Sequence, residues 1–147
     1  DADCIVTLDA DGQHDPCEIE RVVGPIRRGL ADVVLGSRLL DLAGMPLHRV
    51  LANHVGNFTT LLLFGIFVTD SQSGFRAFSR PAARMIEIRS NRMEVSSEIV
   101  GEIRRKGLRL AEVSIRAIYT EYSLAKGQSF WVGLKTVYKL LLRRLGR

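Results

Sequence analysis

A chain of 147 residues with 46% hydrophobic and 25% charged residues has the make-up of one globular domain, which excludes a disordered or low-complexity polypeptide. The 21 Lys and Arg residues outnumber the 16 Asp and Glu residues, for a formal charge of +5. That sign favours an anionic partner without choosing among nucleic acid, phosphorylated ligand and anionic lipid. Its 2 cysteines, Cys4 in an apolar run and Cys17 behind Pro16, form neither a disulfide framework nor a zinc set, so a reducing compartment fits best.

Cys4-Ile-Val-Thr-Leu8 is a short apolar run that predicts a buried strand of a parallel or mixed sheet. Because a strand follows Asp1-Ala-Asp3 directly, with no basic and apolar leader, earlier elements of the same domain are expected to precede it. Asp15 is a candidate N-cap with Pro16 behind it, and Ile19, Val22, Val23 and Ile26 recur at helical spacing until Gly29. Ala31 to Gly36 is a second apolar strand, completing a strand-helix-strand unit, and Ser37-Arg38 stands at its end. Pro46 to Phe67 predicts a mostly apolar helix carrying His48, Arg49, Asn53, His54 and Asn57 on its first half. Its most apolar stretch, Leu61 to Val68, is far short of the roughly 20 residues that span a bilayer. Asp70-Ser-Gln-Ser-Gly74 is turn chemistry, Phe75 to Phe78 a short strand, and Pro81 opens a helix through Ile88. Val95 to Lys106 predicts a further helix, Leu108 to Ala117 a strand, and Phe130 to Leu145 a last helix after a polar loop.

The stretch VTLDADGQHDP sets an acid cluster at the carboxyl end of the first strand, and three chemistries compete for it. A calcium loop over Asp9 to Glu20 has acids or amides at the right places, yet it needs a glycine at its sixth position and a helix in front. His14 occupies that position and a strand precedes. A phosphatase nucleophile at Asp9 with Asp11 as acid matches a DxDGT-like signature, but Gln13 replaces the threonine and no downstream acidic pair supports a magnesium ion. The third chemistry is a DxD clip. Asp9 and Asp11 hold Mg²⁺ or Mn²⁺ while the open positions of the ion take two phosphate oxygens, Gln13 adds an amide oxygen and Gly12 admits the ligand. A solvated acidic loop is the bland alternative.

The ordered set LDADGQHDP, DVVLGSR, HRVLANHVGN, DSQSGFRAFSR, MEVSSEI and LAEVSI resembles the family 2 glycosyltransferases. Within them the dolichol-phosphate mannosyltransferases and their polyprenyl-phosphate relatives are the most similar group. The resemblance implies an α/β fold of GT-A type: a mixed, mainly parallel sheet flanked by helices, with the N-terminal strands missing. It assigns residues 1–129 to the C-terminal portion of the catalytic domain and 130–147 to an amphipathic helix. It makes Asp9 and Asp11 the DxD pair, with Asp11 and Gln13 on the metal, and it matches Arg38 and Arg49 to arginines that meet phosphate. A planar, permanently charged fork suits a phosphate that must be both bound and oriented. It places Asp70, Ser73, Gly74 and Arg76 on the acceptor side and Glu94 and Glu98 near the sugar, where a tight turn and a helix start are equally good accounts. After the EVSI strand many relatives carry Arg-x-x-Gly-x-Ser; this chain has Leu124 at the arginine's place, leaving Lys126, Gln128 and Ser129 for that diphosphate or lid role.

The implied reaction takes a sugar from a nucleotide-diphosphate sugar to a polyprenyl phosphate by direct displacement with inversion. A phosphate nucleophile is already anionic and needs no strong base, so His14, His48 and His54 are expected to be loop or helix-surface residues. A family 2 transferase with a soluble hydroxyl acceptor is the alternative, with Glu94 or Asp70 as base. Nucleic acid is not an expected partner, because the basic residues are scattered and no aromatic platform interleaves them. In the last helix Trp131, Leu134, Tyr138, Leu141, Leu142 and Leu145 share a face flanked by Lys135, Lys139, Arg143 and Arg144. That pattern suits either a core stripe or a peripheral contact on the inner, cytoplasmic face of a membrane.

Overall fold

The computed structural model describes residues 2–42, 44–90 and 94–119. Within them run β1 (Cys4–Thr7), α1 (Ile19–Arg27), β2 (Val33–Ser37), α2 (Leu47–Phe64), β3 (Arg76–Ser79), α3 (Arg80–Met85), α4 (Glu94–Arg105) and β4 (Leu110–Ser114). The expected C-terminal helix over 130–147 and the loop with Lys126, Gln128 and Ser129 lie outside the described residues.

The four strands form one sheet in the order β1-β3-β2-β4. β3 runs antiparallel to both β1 and β2, while β4 runs parallel to β2, so three of the four strands point the same way. This is the expected mixed, mainly parallel α/β sheet, with one feature that the strand-helix-strand pattern does not announce. β1 and β2 are not neighbours, because β3 returns between them and carries the Asp70 to Gly74 turn to their carboxyl ends.

Burial follows from that order. β2 is mostly apolar and buried along its whole length, as a strand covered on both faces should be. On one face Val34, Phe75, Ala77 and Ile115 pack under Val22 and Val23 of α1. On the other, Val33 and Phe78 meet Ala82 of α3 and Ile99 and Ile103 of α4. Leu35, Val68 and Val100 extend that second core towards the strand ends. Each fully buried aliphatic or aromatic side chain contributes about 1.5–3 kcal/mol, which is what holds the short strands in register.

Several element ends differ from the sequence reading, each for a local reason. Asp15 does cap, accepting from the Cys17 N–H at 2.9 Å, but the first turn behind Pro16 is a 3₁₀ turn over Pro16–Glu18 before α1 begins. α2 stops at Phe64, three residues before Phe67, because Gly65 adopts φ 66° and its N–H donates to the Leu61 carbonyl. The helix expected to reach Ile88 ends at Met85, with Ile86 extended. The last strand narrows to Leu110–Ser114, since the Leu108 N–H closes α4 on the Ile103 carbonyl and Ala117 pairs elsewhere.

Candidate active site

Two hydrogen-bonded contacts hold the acidic loop after β1 in place. His14 bridges to Ala117 beyond β4, and the Ile118 N–H donates to the Gln13 carbonyl at 2.9 Å. Within the loop the Gln13 backbone N–H and side-chain amide each donate to an Asp11 carboxylate oxygen, both at 3.0 Å. Asp11 and Gln13 therefore stand side by side, Asp11 exposed and Gln13 half-buried.

Asp9 lies over Gly74, just ahead of β3. A Cβ built at Gly74 would overlap both Asp9 carboxylate oxygens, so only glycine admits Asp9 there. The Thr7 hydroxyl donates to the Gly74 carbonyl at 3.0 Å and ties the two chain segments together. Facing Asp9 Oδ2 at 3.6 Å is the His14 Nε2. The His14 imidazole, joined by the more distant charges of Arg38 and Arg76, holds the Asp9 carboxyl below the usual carboxylate range against the opposing effect of burial.

Behind this lies a buried charge cluster. Asp70 is fully buried and receives the Arg38 fork, Nε at 2.7 Å and Nη2 at 2.9 Å, together with the Arg38 backbone N–H at 3.1 Å. Burial pulls the Arg38 guanidinium down, and the Asp70 hydrogen bonds and charge outweigh it, so its net direction is upward. Arg76 on β3 is 4% exposed and donates from Nη2 to the Ser71 carbonyl at 3.3 Å, while its Nε has no hydrogen-bond partner among the described residues. Burial pushes the Arg76 guanidinium down to about 10, with Asp9 and Asp70 opposing the fall, so it stays charged at neutral pH. Arg49 of α2 lies over the Tyr119 ring at 5.5 Å. Burial pushes the Tyr119 hydroxyl up, and Arg38 and Arg49 draw it back.

The structure thus brings together Asp9, Gly74, Arg76, Arg38 and Asp70, with Arg49 joined through Tyr119. Ser73 is fully buried, its hydroxyl accepting from the Phe75 N–H at 3.3 Å, and belongs to the turn itself. Glu94 opens α4, and Glu98 ties down the preceding segment by accepting from the Arg89 and Ser90 N–H groups at 3.1 and 2.8 Å. His48 and His54 are exposed on α2 as expected. His14 departs from expectation: it is in a loop but only 5% exposed, its ring edge-on to Phe75 at 5.4 Å.

Sequence reasoning passed over two clamps that position Asp70. Asn57 of α2 donates its amide to the Thr69 carbonyl and accepts from the Ser71 N–H at 2.8 Å. Glu112 of β4 accepts from the Thr69 N–H at 2.8 Å and its hydroxyl at 2.7 Å. An Asn on a helix and a Glu in a strand, each with its partner far away in sequence, give no local signal. Beside the cluster, a cavity of ≈ 270 Å³ is lined by Leu39, Asn57, Phe58, Leu61, Phe67 and Thr69 among others. Leu39 and Thr69 are the chain neighbours of Arg38 and Asp70.

Among the described residues no three His, Cys, Asp or Glu side chains gather as a metal set. The site nonetheless fits a hard divalent cation. Such ions are held by one or two carboxylates plus substrate phosphates and water, not by a full protein cage. Asp11 supplies an exposed carboxylate, and turning the Gln13 amide end over end brings its oxygen to the same point.

A mixed sheet of four strands flanked by helices, with carboxylates and guanidinium groups collected at the strand ends, is consistent with a partial GT-A fold. Residues 1–86 match the Glycosyl transferase family 2 profile, and the chain belongs to that family. It is 46% identical over 146 residues to an uncharacterized protein of Methanocaldococcus jannaschii, covering 96% of this chain and 60% of that protein. It is 42% identical over 151 residues to the UDP-N-acetylglucosamine--dolichyl-phosphate N-acetylglucosaminyltransferase of Methanococcus voltae, covering 99% and 60%. With the undecaprenyl-phosphate mannosyltransferase of Micrococcus luteus it shares 28% over 137 residues, 89% and 56% of the two chains. The chain spans 56–60% of the length of these relatives.

Proposed function

We propose that the whole protein transfers a sugar from a nucleotide-diphosphate sugar to a polyprenyl phosphate, with inversion at the anomeric carbon. A phosphate oxygen of the acceptor forms the new bond to that carbon as the bond to the diphosphate breaks, and the diphosphate leaves with the electron pair. The names of the relatives from Methanococcus voltae and Micrococcus luteus support the acceptor class. The observation that carries the reading is the state of Asp70. Both of its oxygens are occupied by Arg38 and none of its surface is open, so it is withdrawn from service as a base for a hydroxyl acceptor. A phosphate acceptor needs none, and the chain's task becomes alignment and charge stabilisation.

In this reading Mg²⁺ or Mn²⁺ is held by Asp11 and Gln13, with Asp9 beside them. When bound, the cation offsets the charge that builds on the departing diphosphate. Arg38, braced by Asp70, and Arg49 orient phosphate oxygens. Arg76 lends positive potential from below, since a buried guanidinium acts through a low dielectric. Gly74 leaves room for Asp9, while Ser73 holds the turn. Glu94, Lys126, Gln128 and Ser129 complete the sugar and diphosphate contacts.

The reading includes a peripheral position on the cytoplasmic face of a membrane. Leu47, Leu51, Val55, Phe58 and Leu62 recur at helical spacing along α2 and are 44–85% exposed, which supports contact with an apolar phase. No helix among the described residues is long and apolar enough to cross a membrane.

The test uses the full-length protein with nucleotide sugars and polyprenyl phosphate, with and without Mn²⁺, and then the Asp11→Asn variant. Metal-dependent transfer that falls at least 100-fold in the variant is the expected outcome, as for loss of a group acting on developing charge. Undiminished transfer removes the metal assignment, and a product of retained configuration removes the displacement mechanism.

A further inference from the structure

One buried polar group has no task in the reading above. The His14 ring is fixed: its backbone bridges to Ala117, and its edge packs on Phe75. Nδ1 has no hydrogen-bond partner among the described residues, while Nε2 faces Asp9 Oδ2 at 3.6 Å. Asp9 is the opposite case, with a side chain 57% exposed at a strand end and Gly74 beneath it. A rigid imidazole therefore confronts a loosely held carboxylate.

The two neutral tautomers differ sharply in that setting. With the proton on Nε2 the ring aims a donor at Asp9 and leaves Nδ1 as a buried acceptor with no partner among the described residues. With the proton on Nδ1 it strands a buried N–H and turns a lone pair towards a carboxylate, and both features are costly. The 3.6 Å gap is longer than a formed hydrogen bond, and a small rotation of the exposed Asp9 side chain closes it.

We propose that His14 is a positioning residue, an imidazole carrying a proton on Nε2 that holds the Asp9 carboxylate over Gly74 and so fixes its orientation for the cation and diphosphate. The consequence for metal binding rests on the proposed function; the contact itself rests on the geometry. Histidine here takes the role that outer partners take around metal-ligating side chains, where their removal typically weakens metal affinity by about 10–100-fold.

Two measurements on the full-length protein test it. In metal-free protein carrying ¹⁵N-histidine, His14 is expected to show the Nε2–H tautomer with a proton slow to exchange, and Asp9→Ala is expected to lose that protection. An Nδ1–H tautomer, or a proton indifferent to Asp9→Ala, overturns the proposal whether or not a metal binds. Mn²⁺ affinity in the presence of a nucleoside diphosphate, read by electron paramagnetic resonance, is then expected to weaken about tenfold in His14→Phe, as loss of an outer partner does. His14→Gln, whose amide nitrogen reaches the Nε2 position, restores it, and His14→Asn, whose amide stops at the Nδ1 position, does not. Should His14→Phe fail to fold, the Gln and Asn pair decides; equal affinities in those two overturn the positioning role. If the wild type binds no Mn²⁺ and Asp11→Asn changes nothing, the metal reading fails, while the tautomer experiment still judges the contact.

Discussion

β2 is flanked by two aspartate-arginine forks of nearly the same geometry and opposite character. Before it, Arg109 reaches Asp32 with Nε at 3.0 Å and Nη2 at 2.9 Å. After it, Arg38 reaches Asp70 at 2.7 and 2.9 Å. The first pair has side chains 58% and 27% exposed, the second 14% and 0%. Water screens the first, which acts as a clip between the end of α4 and the start of the sheet. The second is largely withdrawn from water and sits among Asp9, Arg76 and Tyr119, so its charges set the potential of their surroundings. Identical bonds thus do different work according to where the sheet puts them.

The largest effect follows from breaking the buried fork on one side only. Asp70→Ala leaves the Arg38 guanidinium buried without its counter-charge, and a loss of about 3–5 kcal/mol in unfolding free energy is expected from denaturant titration. The Asn57 and Glu112 clamps would then hold a turn with nothing at its centre. Replacing both members by apolar residues, Arg38→Met with Asp70→Leu, is expected to recover most of that stability and none of the transfer activity. A double variant as unstable as Asp70→Ala would show that the pair matters through packing instead of charge.

Gly74→Ala probes the same end of the sheet without touching a charge. The added methyl has no space beside Asp9, so the carboxylate must swing away while the backbone of β3 is undisturbed. Displacement of one reacting-site group by about 1 Å costs on the order of 100-fold in rate. Transfer by the full-length variant should fall by at least that factor, with its unfolding midpoint little changed. Activity near that of the wild type would remove Asp9 from the reaction.

Much of this site was legible in the sequence, because the features that build it are local. The Asp9, Asp11 and Gln13 spacing, the apolar strands and the Asp70 to Gly74 turn all carry their own signals. What stayed hidden are long-range facts. Nothing in the chain order says that β3 slots between β1 and β2, and that insertion alone sets Gly74 under Asp9 and Arg76 beside Asp70. His14 read as a loop histidine because its burial comes from Phe75 and Ala117, far away in sequence. Gly65 is a helix-stop signal that the surrounding apolar run to Val68 masks, because the helical pattern continues on either side of it.

The α2 stripe offers a middle-sized effect, in affinity and not in folding. Phe58→Ser or Leu51→Ser removes apolar surface that is already exposed, 65% and 66% respectively. Such changes leave stability within about 0.5 kcal/mol. Each should lower partition of the full-length protein onto polyprenyl-phosphate-bearing vesicles about tenfold, following the ~25 cal/mol per Å² of apolar surface transferred. A vesicle co-sedimentation assay that finds no change would take α2 out of the membrane contact.

The exposed fork should respond least, and in a direction that pH and salt identify. The Arg109 hydrogen bonds, with minor help from its charge, hold the Asp32 carboxyl below the usual range. A carboxylate whose pKa is lower folded than unfolded adds stability above its unfolded value, near 3.9, and loses it as pH falls through the folded value. Asp32→Asn is therefore expected to lower stability slightly at pH 7, to flatten the acid limb below about pH 4, and to converge with the wild type at the acid end. Salt near 1 M, where the Debye length falls to about 3 Å, should narrow even that difference between these solvent-exposed charges. The buried fork offers no such handle to salt, and a salt-sensitive Asp70 variant paired with a salt-insensitive Asp32 variant would reverse the assignment of the two.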